Sequence, residues 1–159
     1  MLDCFEQMGC VLRTAPGSIC LTAPKRLRAF GQVRTMPYPG FPTDAQSPLM
    51  AVAAVCTGTT VFVENIFESR YKHVDELARM GANIQTQGRV AVVSGMPQLH
   101  SAAVQCTDLR GGAAVCVAAL AANGTSRVNQ LHHIDRGYEK FAENLHALGA
   151  KIVRSEEQS

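Results

Sequence analysis

The chain has 159 residues, 47% hydrophobic, 18% charged and 6% aromatic, with a formal net charge of +2. A globular domain of this length buries about 68–70% of its unfolded surface. The charge excludes the basic field of a nucleic-acid binder, and no apolar run approaches the ~20 residues of a membrane span. Six cysteines (Cys4, Cys10, Cys20, Cys56, Cys106, Cys116) form no CxxC and no Cys/His pair at zinc spacing. Most lie in apolar runs such as AAVCTG and AAVCVAAL, which predicts reduced core thiols in a cytoplasmic protein.

In chain order, residues 2–8 match only the last two turns of a helix. The stretch PKRLRAFGQVRT could pass for a linker, but its end, 33–35, reads as a strand entering the loop PYPGFPTDAQ. Three prolines and a glycine make that loop rigid. It ends at Thr43-Asp44, where Asp44 either caps the following helix or presents a carboxylate to a substrate hydroxyl. Residues 49–55 are apolar on most faces, as in a buried helix. Residues 60–63 alternate as a strand, 75–80 form an amphipathic helix, and 83–86 with 90–93 form a hairpin split at Gln87-Gly88. QCTDLRGG then opens a second buried helix, 113–122, with Thr107 or Asp108 as its cap. Gly111 and Gly112 would let a ligand approach the backbone, and the helix amides with Arg110 would make an anion cradle. HHIDRGYEK places Arg136 in a loop before a last amphipathic helix, 138–148. His73, His132 and His133 have no catalytic partner at a recognisable spacing and read as structural.

The chain repeats itself. Thr43-Asp44 and Thr107-Asp108 each precede a small-apolar helix, then a strand, then an arginine (Arg70, Arg136), then a helix ending in ARMGANI or HALGAKI. FEQMGCV at the start is a third, partial copy. Gly81 and Gly149 fall where a helix C′ glycine belongs. Each unit reads as helix, strand, helix, two strands, with two units complete and a third represented by its tail. The chain is therefore expected to begin inside a domain.

PYPGFPTDAQ, FESRYKHVDELARMGA, CTDLRGGAA and HHIDRGYEKFAENLHALGAKI together resemble the C-terminal domain of the UDP-N-acetylglucosamine 1-carboxyvinyltransferase family of enolpyruvyl transferases. The likeness runs in order over nearly the whole chain. It implies an α/β (α+β) fold of repeated βαβαββ units, part of an inside-out α/β barrel, here one incomplete domain over 1–159. The tail of one repeat would span 1–35, one repeat 36–100 and another 101–154, with the N-terminal catalytic domain missing. The resemblance implies transfer of enolpyruvyl from phosphoenolpyruvate to the 3-hydroxyl of UDP-N-acetylglucosamine with release of phosphate, in peptidoglycan synthesis, without metal or other cofactor.

Carried over residue by residue, Asp44 is the carboxylate at the sugar hydroxyl and candidate base. Arg110 and Arg136 bind phosphoenolpyruvate and the departing phosphate. Asp108 orders that network, with Leu109 in the substrate-binding set. Ile66, Phe67 and Arg70 lie beside the nucleotide-sugar. The family's other domain supplies a lysine, a mobile cysteine loop and much of the UDP site, and nothing here matches those. The chain alone is expected to hold half a site and to be inactive, as a truncated product or one piece of a split protein. Two alternatives remain at this stage: a non-catalytic assembly module built on the fold, or a piece of 5-enolpyruvylshikimate-3-phosphate synthase.

Overall fold

The computed structural model describes residues 1–155. It opens with helix α1 (Leu2–Gln7) and a hairpin of β1 (Val11–Ala15) and β2 (Ser18–Thr22). Then come β3 (Gln32–Arg34), α2 (Thr43–Ala53), β4 (Thr59–Val63), α3 (Val74–Arg79), β5 (Asn83–Gln87) and β6 (Val90–Ser94). The second half runs β7 (Leu99–His100), β8 (Ala103–Gln105), α4 (Leu109–Ala121), β9 (Ala122–Asn123), β10 (Arg127–Asn129), α5 (His132–Asp135) and α6 (Phe141–Ala147).

Residues 32–94 form a full βαβαββ unit. Its sheet has the order β3-β4-β6-β5, with β3 parallel to β4 and the other pairs antiparallel. The alternation in TTVFV explains why β4 is central: Thr60 and Phe62 are buried, while Val61 and Val63 are partly covered. The second half repeats the opening of this plan, since β8 and β10 also pair in parallel across a buried helix, α4. It then departs from the expectation. The helix expected over 138–148 is shorter, because Lys140 has left-handed backbone (φ 46°) and α6 starts only at Phe141, while α5 is a further short helix ahead of Arg136. No strand pair follows α6 among the described residues. The strands lie in four separate sheets rather than a closed barrel.

The core lies between α2 and α4. Both helices are lined with small residues: Ala51, Ala53 and Ala54 on one side, and Ala113, Ala114 and Ala118 on the other, all buried. Small side chains let two helices approach closely, and Phe62, Met50, Leu77 and Leu99 fill the space around them. Each copy of the repeated tail ends its helix in the same way. Gly9, Gly81 and Gly149 have φ of 96°, 86° and 96°. The next amide, of Cys10, Ala82 or Ala150, donates to the carbonyl of Phe5, Leu77 or Leu145. This is the Schellman closure that glycine permits.

The 24–35 stretch and most of the cysteines follow expectation. The 24–35 stretch is tied down rather than free, because Arg28 N–H donates to Met8 O and Ala29 N–H to Thr57 O, and Phe30 is buried. Cys10, Cys56, Cys106 and Cys116 are core residues, whereas Cys4 is half-buried and Cys20, on the outer hairpin, is exposed. Burial pushes the thiols of Cys56 and Cys106 up to about 11 and that of Cys116 to about 12. Among the described residues, no helix is long and apolar enough to cross a membrane.

Candidate active site

Asp44 stands in the first turn of α2, after a loop that closes on itself. Met36 N–H donates to Phe41 O and Gly40 N–H to Pro37 O, and the Tyr38–Pro39 peptide is cis. The N-cap position is Pro42, and no side chain caps the helix. The capping reading of Asp44 is therefore overturned. Its carboxylate is gripped instead by two guanidinium groups. Arg70 Nη2 donates to Oδ1 at 2.8 Å and Arg110 Nη2 to Oδ2 at 2.7 Å. The Arg110 hydrogen bond, with the charges of Arg110 and Arg70, holds the Asp44 carboxyl below the usual carboxylate range. The same bond raises the Arg110 pKa further. Pro48 has no N–H for the Asp44 carbonyl, so that carbonyl lacks its usual helical donor.

Each arginine also rests on an aromatic ring. Arg70 lies 4.9 Å from the Phe67 centroid and Arg110 5.6 Å from that of Tyr138. Arg110 Nη1 also donates to the Tyr138 hydroxyl at 3.1 Å. The two arginine side chains are mostly covered, while that of Asp44 is 56% exposed. The cluster therefore opens to solvent at its acidic centre.

The second helix start has one of the two expected caps but not the expected anion cradle. Asp108 is the N-cap of α4, and its Oδ1 accepts from Arg110 N–H at 2.9 Å and Gly111 N–H at 2.8 Å. The amides expected to cradle a ligand are thus already filled. Gly111 and Gly112 do not face a cleft. A Cβ on Gly111 would meet Thr107 Oγ1 and His73 Cβ, and one on Gly112 would meet Ile134 and Cys106. They are small because the helix packs tightly, and Asp108 serves to fix the turn that carries Arg110.

Ile66 and Phe67 are 38% and 48% exposed, beside Arg70. Leu109 is half-buried, and Gly137 packs so close to it that a Cβ there would lie 2.7 Å from Leu109 Cδ2. That contact and the Arg110–Tyr138 bond hold residues 137–138 against the start of α4. Arg136 is the C-cap of α5, not the N-terminus of a helix. It is exposed, and among the described residues no ion pair or hydrogen bond joins it to the Asp44 cluster. Its neighbour Asp135 is held by Arg154 in a bidentate pair, 2.8 Å on each oxygen.

Sequence reasoning missed two members of the site. Tyr138 lay inside a quoted motif but only folding shows it reaching Arg110. Glu64, an acid ending an apolar strand, accepts hydrogen bonds from both sides of the site. A separate groove of about 390 Å³, lined by Cys116, Leu120, Ile134 and Phe141 among others, contains none of the expected site residues.

The sequence pattern of the family described as EPSP synthase (3-phosphoshikimate 1-carboxyvinyltransferase) matches residues 1–145. A UDP-N-acetylglucosamine 1-carboxyvinyltransferase from Symbiobacterium thermophilum is 48% identical over 150 residues, covering 94% of this chain and 34% of that protein. One from Desulfofundulus thermocisternus is 52% identical over 135 residues, covering 82% of this chain and 56% of that protein. The structure of the enolpyruvyl transferase NikO from Streptomyces tendae superposes with a TM-score of 0.85 at 29% identity, over 97% of this chain and 36% of NikO. EPSP synthase from Acinetobacter baumannii, at a TM-score of 0.57 and 19% identity, shares the fold. The chain spans between about a third and a little over half the length of these relatives, and it belongs to the EPSP synthase family of enolpyruvyl transferases.

Proposed function

We propose that this chain supplies the acceptor-side carboxylate and the donor-side arginines for enolpyruvyl transfer from phosphoenolpyruvate to the 3-hydroxyl of UDP-N-acetylglucosamine. The observation that carries this reading is one carboxylate, Asp44, held between two arginines at the mouths of two buried helices. The identity to the UDP-sugar enzymes supports the choice of acceptor. The shikimate enzyme shares only the fold at 19% identity.

Asp44 takes the proton of the 3-hydroxyl as that oxygen attacks C2 of phosphoenolpyruvate. A proton delivered to C3 from elsewhere completes a tetrahedral ketal. Loss of a C3 proton and departure of phosphate then re-form the C2–C3 double bond, now as the enol ether of the sugar. Arg110 and Arg136 meet the charge of the donor and of the leaving phosphate. Leu109 and Asp108 fix the turn that presents Arg110. Ile66, Phe67 and Arg70 border the nucleotide-sugar.

In the ligand-free state the two arginines keep Asp44 a weak base. An anionic donor competes for Arg110, withdraws it from Oδ2, and returns the carboxylate towards ordinary basicity. Binding of phosphoenolpyruvate thereby arms the base. The C3 acid, the cysteine loop and much of the UDP site come from the remaining part of the longer enzyme, so the chain alone is inactive. Its setting is cytoplasmic peptidoglycan synthesis.

The test reconstitutes the enzyme by combining this chain with the remaining part of a relative. Asp44→Asn should lower kcat on the order of 100-fold while UDP-N-acetylglucosamine binding weakens far less. Equal losses in both would make Asp44 a positioning group rather than a base.

A further inference from the structure

Glu64 follows β4 and is 1% exposed, yet no cation pairs with it among the described residues. Its charge is met entirely by donors. Oε1 accepts from the Thr35 hydroxyl at 2.8 Å, Ile66 N–H at 2.7 Å and Phe67 N–H at 3.0 Å. Oε2 accepts from the Thr43 hydroxyl at 2.9 Å. A buried carboxylate without such a set is strongly disfavoured. Thr35 in turn accepts from Asn65 N–H at 2.8 Å, so strand end and loop form one network.

The two oxygens reach opposite sides of the site. Through Oε1, Glu64 fixes the backbone of Ile66 and Phe67, and Phe67 is the ring on which Arg70 rests. Through Oε2 it holds Thr43, the residue before Asp44. A staple that only shaped the 64–67 loop would be satisfied by Thr35 and the two amides. The bond to Thr43 crosses to another element, and α2 has no side-chain cap to anchor its start otherwise.

We infer that Glu64, through the Thr43 hydroxyl, is a positioning residue that sets the Asp44 carboxylate against Arg70 and Arg110. Its consequence for turnover rests on the function proposed above, but the positioning itself is testable without turnover.

Asp44 is followed by carbon-13 carboxyl NMR through a pH titration of the whole chain, with thermal melting to establish folding. Thr43→Val, which keeps the shape and removes the hydroxyl, should loosen the arginine grip and raise the Asp44 midpoint by about half a pH unit or more. Thr43→Ser, which keeps the hydroxyl, should leave it at the wild-type value. A role confined to fold stability would lower the melting temperature of Thr43→Val without moving the midpoint, and that result would overturn the inference. If Thr43→Val does not fold, Thr43→Ala carries the same test. If neither folds while Thr43→Ser does, the hydroxyl is a folding anchor and the positioning claim fails. Absence of turnover in the reconstituted wild type would count against the proposed function while leaving the titration result standing.

Discussion

At the scale of single residues, the structure turns on what each charged group pairs with. Asp44 and Arg110 form the central contact, and the remaining arginine, Arg70, has a buried Nε with no hydrogen-bond partner. Arg110→Ala removes the strongest contact on Asp44, so the Asp44 midpoint should rise towards the ordinary carboxylate value, and turnover of the reconstituted enzyme should fall on the order of 100-fold or more. NMR titration and phosphate release check the two halves separately. His73 makes a second prediction. It is fully buried and neither ring nitrogen has a partner. Burial lowers its pKa to about 4, with the charge of Arg70 reinforcing that shift and Asp108 and the Arg70 backbone opposing it. Between the ordinary 6.5 and about 4 the unfolded chain takes up a proton that the folded chain refuses. Stability should therefore fall as pH drops through that window, by up to about 3 kcal/mol. Denaturant melts at a series of pH values check this, and His73→Leu should flatten the dependence. The paired carboxylates Asp44 and Asp135 lose their contribution only at lower pH, because their folded pKa values are depressed.

Residue legibility followed the same division. Asp44 and Arg70 were legible because they have counterparts in the repeat, Asp108 and Arg136, and Arg110 because it lies in a motif shared with a family. Glu64 and Tyr138 were not, because their importance lies in partners many residues away. The misreading of Gly111 and Gly112 has a related cause. A glycine pair near an arginine signals close approach, but only the fold shows that the approaching group is His73 and Ile134 rather than a ligand.

At the scale of elements, the helix ends were the most legible feature. FEQMG, LARMG and LHALG each close with a left-handed glycine and the same long-range amide bond, because that pattern is written locally. The short strands β7, β8 and β9 were not anticipated. They have only two or three residues each and no alternation long enough to detect, so their pairing is decided by the helices that bring them together. The close packing of α4 makes a counterintuitive prediction. Gly111→Ala should gain about 1 kcal/mol of helix propensity, yet the added methyl would lie 2.7 Å from Thr107 Oγ1 and 2.9 Å from His73 Cβ. The clash should dominate, and the melting temperature should fall.

At the scale of the whole molecule, the sheet of the 32–94 unit and the α2–α4 core are well covered, whereas the β1–β2 hairpin is not. Val11, Ile19 and Leu21 on that hairpin are 57%, 57% and 43% exposed. A two-stranded ribbon is marginal without a partner face. The chain alone should therefore show concentration-dependent association by sedimentation, and Ile19→Ser with Leu21→Ser should reduce it. Arg136 depends on the whole assembly too. It is exposed and unpaired with the site in the ligand-free chain, so Arg136→Ala should change stability by no more than about 0.5 kcal/mol. In the reconstituted enzyme the same substitution should cripple turnover, because the donor's charge would then be met by Arg110 without its companion.

Asp44, Arg70 and Arg110 are proposed to form one side of an enolpyruvyl-transfer site. The most direct measurement is phosphate release from phosphoenolpyruvate in the presence of UDP-N-acetylglucosamine, with the purified chain alone and with the remaining part of a relative added. The chain alone should give no release, the combination should give release, and Arg110→Ala should abolish it. Release that persists undiminished in Arg110→Ala, or none from a combination whose two parts are folded and associated, would contradict that assignment.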